Sequence, residues 1–293
     1  MKIYSLEGNR QKLDGGAMFG NAPRAVWEKW IKPDEKGRIE LACRCLLLEF
    51  ENKKILCEAG IGAFFEPKLA ERFGVVNSQK NELLLSLEKL NIQHQDIDWV
   101  ILSHLHFDHV GGILPSYEEI IGGNDQLLFP NANFVTSKTA FERCRQPHLR
   151  DRASFIPGLH QKLSASGRLF LINDNEETSS GAFIDPSISF RFSSGHTPGQ
   201  MHTIIDGKSE SLLFCGDLIP GRFWLHLPIT MGYDRFPEKL IDEKKKIIDL
   251  AIANNYLLFF THDPDFSTAK CEKDENGKIR PSDCLAKLES YDL

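Results

Sequence analysis

The sequence Asp98-Trp99-Val100-Ile101-Leu102-Ser103-His104-Leu105-His106-Phe107-Asp108-His109-Val110-Gly111-Gly112 begins as a short apolar run and ends as a cluster of histidines. The run reads as a buried strand. Three histidines and one aspartate then fall within the six residues from His104 to His109. Imidazole and carboxylate are borderline ligands that suit zinc, iron, manganese or cobalt. His104 and His106 lie two apart, so in an extended chain they point the same way. Asp108 and His109 are adjacent and point apart, which suits two neighbouring ions better than one. Gly111-Gly112 lets the chain turn tightly afterwards. No ordinary folding requirement explains this density of donors.

Three more candidate donors occupy the same kind of place. His196 sits in Ser194-Gly195-His196-Thr197-Pro198-Gly199, after a strand expected over 188–193. Asp217 follows the apolar run 211–215, where a carboxylate is costly unless paired or metal-bound. His262 follows the apolar run 256–260. Four expected strands therefore end in a polar candidate, and a sheet whose strand ends converge on one rim would gather them. Upstream, Leu41, Cys43, Cys45 and Leu47 alternate, and Ile55-Leu56-Cys57 resumes beyond a turn at 51–54, which reads as paired strands. Leu83, Leu84, Leu87 and Leu90 recur at helical spacing in a helix expected over 81–91. Further strands are expected over 133–137, 168–172 and 202–205. A second amphipathic helix, over 239–254, carries Leu240, Ile247, Ile248 and Ala251 on its apolar stripe and Lys244-Lys245-Lys246 on its wet face. Residues 267–281 are polar and read as a surface excursion. With no internal repeat and no linker, residues 1–293 are expected to form a single domain.

Composition narrows the function classes. Hydrophobic residues make up 41% and charged residues 26% of the 293, a globular balance. The net charge of -6, with no basic run, disfavours a nucleic-acid partner. No stretch approaches the roughly 20 apolar residues that span a bilayer, and the opening residues lack the apolar core of a secretory signal. The seven cysteines are odd in number and form no C-x-x-C pair; several lie in apolar runs. They read as reduced thiols in a cytoplasmic protein that touches no membrane.

The pattern His104-x-His106-x-Asp108-His109, followed in order by His196, Asp217 and His262, resembles the metallo-β-lactamase superfamily at every donor position. The resemblance spans nearly the whole chain. It implies an α/β fold, a four-layer αββα sandwich with two divalent metal ions at one edge of the paired sheets. Zinc is the default, with iron, manganese or cobalt accepted by the same donors. By this likeness His104, His106 and His196 hold one ion, Asp108, His109 and His262 the other, and Asp217 bridges them. A hydroxide shared by the ions would attack a carbonyl or phosphoryl centre, with Asp108 as the catalytic residue that steers it or carries a proton to the leaving group.

Histidine at position 106 separates the chain from flavodiiron oxidoreductases of this fold, which carry glutamate there. The segment Leu13-Asp14-Gly15-Gly16-Ala17-Met18-Phe19-Gly20, with Pro23-Arg24 and Trp27, is similar to the opening of the N-acyl-homoserine lactonase-like and phosphotriesterase-like group. So are Asp151-Arg152-Ala153-Ser154 and His226-Leu227-Pro228. The likeness implies a small-molecule ester or lactone substrate, quorum-quenching lactonase activity and a homodimer, with Trp27 and Trp30 as contacts. Met18, Phe19 and Phe107 are candidates for an apolar acyl pocket, and His226 for a substrate contact. Some lactonases of the group place a tyrosine three residues after the bridging aspartate; Pro220 stands there, and Tyr233 substitutes only if its loop folds back over the metals. The alternative is a phosphotriesterase or arylesterase with the same metals. Weaker rivals are a metal-binding sensor and a thioester hydrolase, the latter because no basic residues stand out to hold a glutathione-like substrate. His94, His148, His160 and His202 lack motif support and read as structural or exposed.

Overall fold

A computed structural model describes residues 1–50 and 52–293; Glu51, the first residue of the turn expected at 51–54, lies outside them. The chain folds into two seven-stranded sheets. The first is built from β1 (Lys2–Asp14), β2 (Arg38–Phe50), β3 (Lys53–Cys57), β4 (Trp99–Ile101), β5 (Asn133–Ser137) and β6 (Leu169–Ile172). The second is built from β7 (Thr178–Ser180), β8 (Ile188–Ser193), β9 (Gln200–Asp206), β10 (Ser211–Phe214), β11 (Leu257–Phe259), β12 (Thr268–Lys273) and β13 (Ile279–Leu285). The last strand, β14 (Tyr291–Asp292), returns to the first sheet beside β1. The strand orders are β14-β1-β2-β3-β4-β5-β6 and β13-β12-β11-β10-β9-β8-β7. Pairing is parallel from β3 to β6 and between β10 and β11, and antiparallel elsewhere.

Three stacked cores make the layers. Between the sheets, Leu46, Leu48, Ile55, Ile101 and Val135 meet Phe190, Met201, Ile205, Leu212 and Phe259. The outer face of the first sheet packs Cys45, Leu47, Leu56 and Val100 against Leu83, Leu87, Leu159 and Leu163. The outer face of the second packs Leu213 and Leu258 against Leu240, Ile247, Ile248 and Ala251. This is the expected α/β sandwich, helices outside two facing sheets. Odd and even residues of β2 are alike buried because the strand is covered on both faces, so its alternation is not one of apolar against polar.

Local signals account for the helices that brace the site. Asn81 caps the helix Glu82–Glu88 by accepting from Leu83 N at 3.1 Å, and its amide donates to Gly112 O at 3.0 Å, tying the helix to the turn after the histidine cluster. The helix stops at Glu88, short of the expected end, and Asn91 takes a φ of 57°. The helix Pro237–Asn254 starts on proline and ends on Asn255 in the left-handed region.

Two expectations fail here. Residues 267–281 are not a surface excursion: they form β12 and enter β13, the outer hairpin of the second sheet. Lys244 is not on the wet face. It falls on the apolar stripe at Leu240 + 4, is fully buried, and donates to Ile229 O at 2.5 Å and His226 O at 3.3 Å. Burial pulls its pKa down to about 7, with Asp234 opposing. An unfolded lysine keeps its proton to about pH 10.4. Between those values the unfolded chain binds more protons than the folded one, so this residue makes stability rise with pH. The difference in unfolding free energy between the wild type and Lys244→Met should therefore shift in favour of the wild type from pH 7 to pH 9, by up to about 1.4 kcal/mol per unit. Denaturant titrations of both proteins measure it; a flat difference would mean that Lys244 is not charged-state sensitive.

Candidate metal centre

The donors are delivered by strand ends of both sheets. His104 and His106 follow β4, and Phe107–Val110 is a single helical turn carrying Asp108 and His109. His196 follows β8, Asp217 follows β10 in the turn Gly216–Leu218, and His262 follows β11. Two glycines permit this crowding. A Cβ on Gly112 would stand 1.9 Å from Ala59 O, and Gly216 has a φ of 52° against the Gln200 side chain. Gln200, with its amide turned so that the oxygen faces the donors, accepts from Asp217 N at 2.7 Å.

All seven side chains are buried or nearly so, and they fall into two sets. In the first, His104 Nε2 lies 3.0 Å from His106 Nδ1, which lies 3.2 Å from His196 Nε2. His196 Nε2 is 3.3 Å from Asp217 Oδ2. In the second, His109 Nε2 and His262 Nε2 are 3.2 Å apart, and each lies within 3.2 Å of Asp217 Oδ1. Asp108 completes it, 3.8 Å from His109 Nε2 and 3.6 Å from His262 Nε2. The two oxygens of Asp217 thus face different sets.

The rings are held from behind. Ser103 Oγ lies 2.9 Å from His104 Nδ1, Glu58 Oε2 3.2 Å from His109 Nδ1, Asp234 Oδ1 2.8 Å from His196 Nδ1, and Ala42 O 2.6 Å from His262 Nδ1. A hydrogen bond at one ring nitrogen sets the tautomer and leaves the other with a free lone pair. Gln11 Nε2 donates to Asp108 Oδ2 at 2.6 Å. His106 is steadied by a backbone bridge to Phe155.

Electrostatics test the fit to a cation. Burial, reinforced by neighbouring imidazoles, drives His104 and His106 well below the ordinary histidine range, so both keep lone pairs. Burial acts the same way on His109, His196 and His262, but the Asp217 charge outweighs it and raises all three, aided by Glu58 at His109 and Asp234 at His196. Burial alone would raise Asp217; His109, His262 and His196 hold it well below the carboxylate range. Protons on those three rings and divalent cations are alternative ways to neutralise the same buried carboxylates. Nitrogens converging at 3.0–3.2 Å, with the far sides of His104, His196 and His262 hydrogen-bonded and that of His109 facing the Glu58 carboxylate at 3.2 Å, suit cations. The residues present fit a pair of divalent ions.

The donors open onto a cavity of about 340 Å³. A metallo-beta-lactamase superfamily model matches residues 38–119 and 135–262. The chain belongs to the metallo-β-lactamase superfamily. It is a metal-dependent hydrolase of that fold. A structure of a probable metal-dependent hydrolase from Staphylococcus aureus superposes with a TM-score of 0.83 at 26% identity, covering 99% of this chain and 98% of that one. A dizinc quorum-quenching lactonase in complex with a product has a TM-score of 0.75 at 22% identity, over 99% of this chain and 95% of its own, a likeness of fold. In sequence, an N-acyl homoserine lactonase from a Bacillus species is 24% identical over 89% of this chain and 93% of its own length.

Of the expected pocket residues, Met18, Phe107 and Tyr233 line the cavity with His106, Asp108, His196, Asp217 and His262. The Tyr233 loop does fold back towards the donors. Phe19 does not line it: the ring is stacked between Trp224, 4.7 Å away, and Trp27, 5.8 Å away, inside a separate aromatic core. That packing also takes Trp27 out of consideration as a partner contact, since it is 3% exposed, and Trp30 lies against Phe19 and Phe223. His226 does not line the cavity; its backbone carbonyl accepts from Lys244 at 3.3 Å. His202 is structural, bonded to Cys215 O and Ser193 Oγ, and burial pulls its pKa down to about 4. Basic residues, expected to be lacking, are present: Lys12, Lys36, Arg38 and Arg72 line the cavity.

Sequence reasoning missed Gln11, Glu58 and Asp234. Glu58 carried the signal that exposed Asp217, a carboxylate directly after an apolar strand; Asp234 carried none. Glu58→Gln and Asp234→Asn should each weaken metal affinity about 10- to 100-fold, and Asp217→Asn more. Competition against a chromophoric chelator measures this, with circular dichroism as the folding control. Wild-type affinity in both of the first two variants would show that the groups behind the rings do not position them.

Proposed function

We propose that the chain is a dinuclear hydrolase that opens lactones of the N-acyl-homoserine type. The observation that carries this reading is the cavity itself: apolar walls of Leu13, Met18, Leu41, Phe73, Phe107 and Met231 lead to a floor where both donor sets meet. Such a shape suits an acyl arm whose ester group rests on the donors. His104, His106, His196 and Asp217 would hold one ion, and Asp108, His109, His262 and Asp217 the other, zinc by default. Two such cations would supply a water activated at neutral pH and positive charge to stabilise the developing oxyanion.

The chain's own groups do the rest. Asp108, fixed by Gln11, offers a carboxylate that can take up or hand on the proton needed at the leaving oxygen. Burial, then the Asp108 charge, raises the Tyr233 phenol, so it keeps its proton and can donate to the carbonyl oxygen as charge develops there. This would answer the absence of a tyrosine at Pro220. That both sheets contribute to one centre supports reading residues 1–293 as a single hydrolase domain. Seven free cysteines, six of them buried, support a reducing compartment such as the cytoplasm, and among the described residues no helix is long and apolar enough to cross a membrane. A homodimer belongs to the same reading, through a contact other than Trp27.

Proton release on a short and a long acyl-homoserine lactone, with a paraoxon-type triester beside them, tests the proposal. Chelator-sensitive lactone opening that depends on acyl length is expected, and Tyr233→Phe should lower kcat on the order of a hundredfold with little change in KM. A metal-loaded protein that cleaves the triester and leaves both lactones intact would replace the lactonase reading with a phosphotriesterase.

A further inference from the structure

The cavity mouth is basic on a chain of net charge -6. Lys12, Lys36, Arg38 and Arg72 line it, brought together from the end of β1, the turn before β2 and the helix Pro67–Arg72. Their partners differ. Arg38 is committed to Asp34 at 2.8 Å, and Lys12 lies 3.8 Å from Glu40, which Arg10 already holds at 3.1 Å. Lys36 and Arg72 have no carboxylate within 4.0 Å among the described residues. Of the acids nearby, Asp14 lines the same cavity and caps a helix through Ala17 N, Asp108 and Asp217 line it among the donors, and Asp34 and Glu40 are already paired. The rim therefore carries unpaired positive charge.

An apolar track joins this charge to the donors. The Phe107 ring, next to Asp108 in sequence, lies 4.6 Å from the Phe73 ring, and the Arg72 guanidinium stands 6.0 Å from that ring. Leu13 and Leu41 line the same cavity as Lys12 and Arg38. A neutral acyl chain would use the track and leave the rim charges facing water. An arm ending in an anion would use both. We propose that the preferred substrate of this site is an ester or lactone whose apolar arm ends in an anionic group, a carboxylate or a phosphate, received by Lys36 and Arg72. The proposal rests on the hydrolase reading above but names a feature that reading does not require.

The test compares para-nitrophenyl hydrogen sebacate with para-nitrophenyl decanoate, and with a phosphate-ended ester of equal length. The wild type should favour an anionic arm in kcat/KM, and added salt should erode that preference through screening. In the variant carrying both Lys36→Gln and Arg72→Gln, the ratio of anionic to neutral kcat/KM should fall about tenfold. Whichever anion shows the preference identifies the terminus. Calorimetry supplies a readout independent of turnover: sebacate should bind the wild type more tightly than monomethyl sebacate, and the gap should close in the double variant. Should none of the esters be cleaved, the ester- and lactone-opening reading fails while calorimetry still decides the rim. Equal selectivity ratios and equal binding gaps in wild type and variant would overturn the proposal.

Discussion

Everything in this molecule accommodates one buried carboxylate. Asp217 is 5% exposed and sits between two sets of imidazoles, one oxygen turned to each. An isolated carboxylate there would be too costly to bury, so its surroundings must supply positive charge from both sides. The donors that do so end strands of different sheets, β4 in the first and β8, β10 and β11 in the second. The sandwich can therefore close only with the two rims in register. Packing between the sheets and chemistry at their edge are a single constraint.

Rigidity comes from behind the donors. Each of His104, His109, His196 and His262 has its far nitrogen engaged by a different partner, a hydroxyl, two carboxylates and a carbonyl. The partner of His104 is its chain neighbour Ser103, but Glu58, Asp234 and Ala42 lie on other elements, so His109, His196 and His262 cannot turn without losing a contact to another part of the fold. Lys244 extends the chain of support. From the helix it anchors the carbonyls of 226 and 229, and the loop that follows carries Met231 and Tyr233 to the cavity and Asp234 to His196. A buried amine is an expensive anchor, and it holds a loop that would otherwise leave backbone acceptors unsatisfied.

The centre was legible in the sequence because its chemistry is compressed: His104 to His109 offers donors at a density folding never needs, and the later donors sit at strand ends. What stood behind the donors was not legible. Whether Glu58 or Asp234 backs a ring depends on which way that ring faces, and only the packed sheets settle it. Residue type points Lys244 to the wet face, but its spacing from Leu240 and Ile248 places it on the buried stripe. Phe19 and His226 failed for a related reason. An apolar or aromatic residue near a conspicuous loop can face the cavity or the neighbouring core, and local sequence is the same in either case.

The separation of the donors from the rim bears on how such a site acquires specificity. The donors are locked by contacts to both sheets, so substitution there disturbs fold and chemistry together. The rim residues come from the end of β1, the start of β2 with the turn before it, and a short helix, and among the described residues none is hydrogen-bonded or ion-paired to the groups that hold the imidazoles. Change at Lys36 or Arg72 alters the field at the mouth at little cost to packing, because both side chains are exposed. Long-range charge acts on approach and orientation more than on the reacting bond. Substrate choice is thus lodged where the fold is most tolerant, and bond cleavage where it is least.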